Sequence, residues 1–140
     1  MRLPYRILST KTAVLLPVSL QTKRVYEESN LTDGRRILIM RYWPRGIARH
    51  RVDDWEPVLA PSRSLLAAYR NGELSWQEYA IMFQRQLGSD PQILSLMDSI
   101  CTLACQAPIT LLCACEDPSF CHRTLVKRMA LGRFYDMPNL

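Results

Sequence analysis

Ile109 to Cys115 reads ITLLCAC, seven uncharged residues between a proline at Pro108 and the polar loop EDPSF. A run of this length, apolar but for Thr110, suits a strand whose two faces are both covered, as in a parallel sheet. The residues after the loop, Leu125 to Leu131, read as a helix. Strand, loop and helix in that order form half of a crossover unit, and the fold class expected is α/β.

The rest of the chain fits that class. Gln21 to Tyr26 (QTKRVY) reads as a short strand, Asn30 to Gly34 (NLTDG) as a turn, and Ile37 to Tyr42 (ILIMRY) as a buried strand ended by Pro44 and Gly46. Asp53 or Asp54 is placed to cap a short helix through Leu59, limited by Pro57. Ser62 starts another, which stops at Asn71-Gly72. Ser75 and Glu78 form a capping box for a helix running to Gly88. Asp90-Pro91, a capping residue followed by proline at the first helical position, opens a third that ends before Pro108. The expectation is a small single domain with a few-stranded, mostly parallel sheet flanked by helices. It covers residues 21–140, with residues 1–20 as an N-terminal extension of uncertain order.

Composition narrows the setting. A chain of 140 residues, 48% hydrophobic and 22% charged, suits one core. The apolar piece Ala13 to Leu16, cut by Pro17, is shorter than a signal core, and no 18-residue apolar run exists, so no membrane partner is expected. Five cysteines are an odd number, and a disulfide scaffold would pair them; a reducing cytoplasm fits better. The net charge is +5, and 15 of the 18 basic residues are arginine. Six of these lie between Arg35 and Arg51 with no acid among them. Within that block Arg41 sits inside an apolar strand, next to Met40, and needs a partner, either Asp33, Glu116 or Asp117, or a bound anion. Arg35, Arg36, Arg49 and Arg51 read as solvated surface.

DGRRILIMRYWPRG (Asp33 to Gly46) and TLLCACEDPSFCHR (Thr110 to Arg123) resemble the two signatures of the YeaO-like family of bacterial and archaeal domains of unknown function. Trp55, the Ala60-Pro61-Ser62 step and the Trp76 helix are similar to the middle of that family, and the resemblance runs from about Thr22 to Leu131. It implies a compact α/β domain and no particular reaction. Many members carry Glu two positions after the first Cys; here Cys115 stands there and Glu116 comes next.

Three readings compete for Cys113 to Arg123. Cys113, Cys115, Cys121 and His122 supply four zinc-type ligands, but they fall within ten residues rather than in two separated pairs. Cys121 and His122, taken as helix neighbours, would diverge, so no metal and no other cofactor is expected. A phosphatase-type loop needs Arg six positions after its Cys; Cys115 is followed there by Cys121, and Cys121 by Lys127. The remaining reading is an anion site at a helix start. Free backbone N–H groups there favour an anion or a thiolate, which would depress the pKa of Cys121 and make it the most reactive thiol. His122 would then act as acid or base, and Arg123 would hold a carboxylate or phosphate. The bland alternatives are core sulfur, a His122 bond to a carbonyl and an Arg123 pair with Glu116 or Asp117. Cys101 and Cys105 read as core filling.

Ligands of open α/β sheets bind at the carboxyl ends of strands, and both signature loops follow strands. The leading expectation is therefore a small cytosolic enzyme for an anionic, phosphate-bearing or nucleotide-like ligand. Cys121 and His122 would be catalytic; Arg41, Trp43, Arg45, Cys113, Glu116 and Arg123 would bind the substrate. The alternatives are a nucleic-acid-binding module using the arginine block and Trp43, or a structural or interaction protein with core cysteines.

Overall fold

The computed structural model describes residues 5–7 and 15–136. Two short strands, β1 (Tyr5–Ile7) and β2 (Leu15–Pro17), pair antiparallel with each other inside the segment read as an extension. The main sheet begins with β3 (Leu20–Arg24), followed by β4 (Arg35–Leu38) and β5 (Asp54–Trp55). Three helices come next, α1 (Arg63–Arg70), α2 (Trp76–Gly88) and α3 (Pro91–Ala104). Then come β6 (Ile109–Cys113) and α4 (His122–Asp136).

Among the described residues the main sheet has the order β3-β6-β4-β5, and every neighbouring pair is parallel. The α/β class is thus observed. β6 lies inside the sheet with all five residues buried, which is what its apolar run requires. Its side chains alternate between faces. Ile109 and Leu111 join Ile37 and Ile39 in the larger core, with Leu65, Phe83, Met97 and Val126 from the four helices. Leu112 joins Leu38, Val25 and Ile47 in a smaller core on the other face, partly covered by Met40 and Trp43 of the loop after β4. Cys113 therefore follows Ile109 and Leu111 onto the helix face.

The helix caps read from sequence are present. Ser62 accepts from the Leu65 N–H, Ser75 and Glu78 form the reciprocal capping box, and Asp90 caps α3 with Pro91 at its start. Two expectations change. β4 ends at Leu38 rather than Tyr42, because Arg41 turns away to donate to the Ala60 and Pro61 carbonyls. Asp53 and Asp54 do not cap a helix: Asp53 accepts from the Arg36 backbone N–H at 2.7 Å, Asp54 pairs with Arg35, and the segment becomes edge strand β5 followed by a 3-10 turn at Pro57–Leu59. Arg36, read as surface, is 6% exposed and paired with Asp33, which Lys23 also contacts at 3.0 Å. No helix among the described residues is long and apolar enough to cross a membrane.

Candidate functional site

Parallel strands put all their carboxyl ends on one edge, so the loops after β4 and β6 emerge side by side. Their meeting is direct: the ring Nε2–H of His122 donates to the backbone carbonyl of Ile39. That bond assigns the proton of the neutral imidazole to Nε2 and leaves Nδ1 as a lone pair. Nδ1 faces the Cys113 sulfur at 3.8 Å. His122 is 6% exposed, and burial holds its pKa below the usual imidazole value, so the ring is neutral. The edge of Phe83, from α2, packs against it at 5.7 Å between centroids.

Three sulfurs gather beside that ring. The Cys113 and Cys115 sulfurs lie 3.7 Å apart. The ligand atoms of Cys113, Cys121 and His122, all buried, lie within 4.8 Å of one another. The divergence expected of Cys121 and His122 does not occur. Asp117 caps a 3-10 turn at Pro118–Phe120 rather than α4 itself, and Cys121 is left extended (φ −132°, ψ 139°) just before the helix begins at His122. A residue in extended backbone followed by one in helix can aim both side chains the same way, which two helical neighbours cannot.

The three sulfurs shift one another's pKa values in opposite directions. Donation from Cys115, then from Cys121, lowers the pKa of Cys113 against the opposing effect of burial, and the backbone N–H groups of Cys115 and Ala114 add to it. Acting as donors to Cys113 raises the pKa of both partners. The helix N–H of Arg123 does point at the Cys121 sulfur, as the sequence reading asked, but it is outweighed. The expected depressed pKa thus belongs to Cys113, and Cys121, 1% exposed, has its pKa raised. All five cysteines are free of disulfides.

Above this cluster lies a cavity of about 180 Å³ whose lining includes Arg41, Arg70, Tyr69, Tyr79, Cys113 and His122. Cys115 and Phe120 also line it, and Cys121 does not. Tyr69 and Tyr79 stack at 4.2 Å, and Trp76 packs behind Tyr79 and Phe120. Burial is the main cause that pushes the Tyr79 hydroxyl pKa up. Arg41 is half-buried, with its guanidinium on two backbone carbonyls, Ala60 O at 2.8 Å and Pro61 O at 3.1 Å. It takes part in none of the ion pairs among the described residues. Burial, then the charge of Arg63, lowers its pKa.

The other expected site residues sit elsewhere. Arg45 is exposed and outside the cavity lining, its carbonyl accepting from the Tyr26 hydroxyl. Trp43 donates its ring N–H to Ile47 O, meets Trp55 edge-on and carries the Arg49 guanidinium over its ring at 4.4 Å. Glu116 is exposed and reaches Arg24 at 3.7 Å. Arg123 is buried and donates to the Cys115 carbonyl at 2.7 Å, while its Nε has no hydrogen-bond partner among the described residues. Sequence reasoning missed Tyr69, Arg70, Tyr79 and Phe120 as cavity residues. Tyr69 and Tyr79 stand among the apolar residues of two helices, and no local signal separates a core ring from a cavity wall.

A family described as the active DUF488-N3 subclade matches residues 20–133. The uncharacterised protein YeaO of Escherichia coli (strain K12) is 32% identical over 107 residues, 75% of this chain and 90% of that protein. The uncharacterised proteins Rv3073c of Mycobacterium tuberculosis and Mb3100c of Mycobacterium bovis are each 38% identical over 66 residues, 46% of this chain and 56% of theirs. No solved structure matches.

Proposed function

The chain belongs to the active DUF488-N3 subclade, and from that premise we propose that it is a small cytosolic enzyme for an anionic, phosphate-bearing or nucleotide-like ligand. The observation that carries this is Arg41. A half-buried guanidinium with carbonyl partners but no carboxylate among the described residues leaves an uncompensated positive charge beside a cavity, and such a charge is stabilised by a bound anion. Arg70 lines the same space, and the rings of Tyr69, Tyr79 and Phe120 give a flat, apolar group somewhere to rest. The reactive atoms at the floor are the Cys113 sulfur and the neutral imidazole of His122, since these face the cavity and the Cys121 sulfur does not. Arg123 serves this site by holding the Cys115 carbonyl and so the loop that carries the sulfurs.

Calorimetric titration with inorganic phosphate and with nucleoside monophosphates tests the reading. Removal of a charge-assisted hydrogen bond costs about 1.5–3 kcal/mol, so Arg41→Ala should weaken binding by roughly 10- to 150-fold. Arg45→Ala, outside the cavity, should leave it unchanged. Equal losses in the two variants, or no binding to the wild type, would defeat the proposal.

A further inference from the structure

We propose that Cys113, Cys121 and His122 hold a zinc ion whose fourth position opens into the Arg41 cavity. The inference deepens the reading above, resting on the same cavity floor and naming what its chemistry would use.

The spacing of the three ligand atoms suits a tetrahedral ion. Bonds of about 2.3 Å to a tetrahedral ion set ligand atoms about 3.8 Å apart. The Cys113 sulfur stands 3.8 Å from His122 Nδ1, and the Cys121 sulfur closes the triangle within 4.8 Å. The second observation is the imidazole itself. A ligating histidine commonly donates its other ring N–H to a carbonyl, which fixes the tautomer and aims the lone pair at the metal; His122 Nε2 does this to Ile39 O. The partners come from well-anchored elements: Cys113 ends the buried strand β6, and Cys121 and His122 sit at the start of α4. Two thiolates and one imidazole form a borderline-soft donor set, which favours zinc over magnesium or calcium. As the bonds form, each ligating thiol still protonated releases its proton to solvent, so two thiolates neutralise the dication.

The open position follows from what faces the cavity. Cys113 and His122 line it, so the face of the triangle between them is accessible from that side. Cys115, exposed and 3.7 Å from the Cys113 sulfur, stands at the same face but is not among the three atoms that converge. It therefore stands beside the fourth position without being one of the three ligands. Three protein ligands with one exchangeable position mark a catalytic rather than a structural zinc site.

The full chain, purified without chelators and analysed for metal, should carry one zinc per chain. Cys113→Ser, Cys121→Ser and His122→Ala should each lose it, and Cys115→Ser should keep it. Cobalt substitution of the wild type should give thiolate-to-cobalt charge transfer and the visible bands of a tetrahedral ion. Chelation should raise the number of thiols open to a disulfide reagent, a readout that needs no variant to fold. Absence of stoichiometric zinc and cobalt in the wild type overturns the inference, and so does loss of zinc from Cys115→Ser equal to that from Cys113→Ser. Arg41→Ala should retain the metal, so failure of the anion site and failure of the metal site are read separately.

Discussion

At Gly34 the backbone has φ +62° and ψ −136°, and a Cβ built there would stand 2.0 Å from the Pro108 carbonyl oxygen. That oxygen accepts the Arg35 N–H, so the clash falls on the first hydrogen bond of β4. Gly34→Ala should cost about 3 kcal/mol or more, combining dihedral strain with a displaced backbone. Gly46 also has positive φ, +77°, but nothing lies within 4 Å of its Cβ position, so Gly46→Ala should cost only about 1 kcal/mol. Urea midpoints for the two variants provide the comparison. Asp33 yields a pH prediction. Burial alone would raise its pKa, but the Lys23 ammonium, the Asn30 N–H and the Arg36 guanidinium together hold it below the usual carboxylate value. A lowered folded-state pKa contributes stability that is present above the unfolded value of about 3.9 and is lost as pH falls through the folded one. Asp33→Asn should therefore be destabilised by about 3 kcal/mol at neutral pH, since it leaves Arg36 buried without its partner. The gap from wild type should shrink as denaturation is measured progressively below pH 4.

Elements were legible where their signals are local. The caps at Ser62, Ser75 and Asp90 lie within three residues of the N–H groups they satisfy, and β6 announced itself through an apolar run. Replacing Ser75 with Ala should cost about 1 kcal/mol by thermal or chemical denaturation; α2, with Tyr79 and Phe83 against the site, would fray from its first turn. The segment 53–55 was not legible, because two adjacent aspartates before a proline look the same whether they cap a helix or accept from a strand that lies seventeen positions earlier. Nor was the end of β4. Apolarity continues through Ile39 and Met40, but pairing stops where Arg41 finds the carbonyls of Ala60 and Pro61, two residues that no local rule connects to it. At the site, the set of chemistry-bearing residues was visible and their arrangement was not. Their convergence depends on one extended residue, Cys121, at a point where a helix had been expected to begin.

For the whole molecule, ligand and fold are coupled through the edge where the loops meet. A ligand at one hundred times its dissociation constant stabilises the native state by about 2.7 kcal/mol. For a chain of this size each kcal/mol moves the melting temperature by about 2–4 °C. Saturating nucleoside monophosphate should thus raise the midpoint of the wild type by roughly 5–10 °C in scanning fluorimetry and raise that of Arg41→Ala by clearly less, in step with its weaker binding.

The order β3-β6-β4-β5 also sets a schedule. Leu20 and Arg35 both take Ile109 as their neighbour, so until the strand made late arrives β3 has no partner and β4 has only the two-residue edge strand β5. During synthesis α1, α2 and α3 can coil from local contacts alone while β3 stays unpaired and β4 keeps its inner edge open. A ribosome that pauses before Ile109 would leave the nascent chain with three helices formed and its sheet without the central strand, the interval in which it most needs a chaperone.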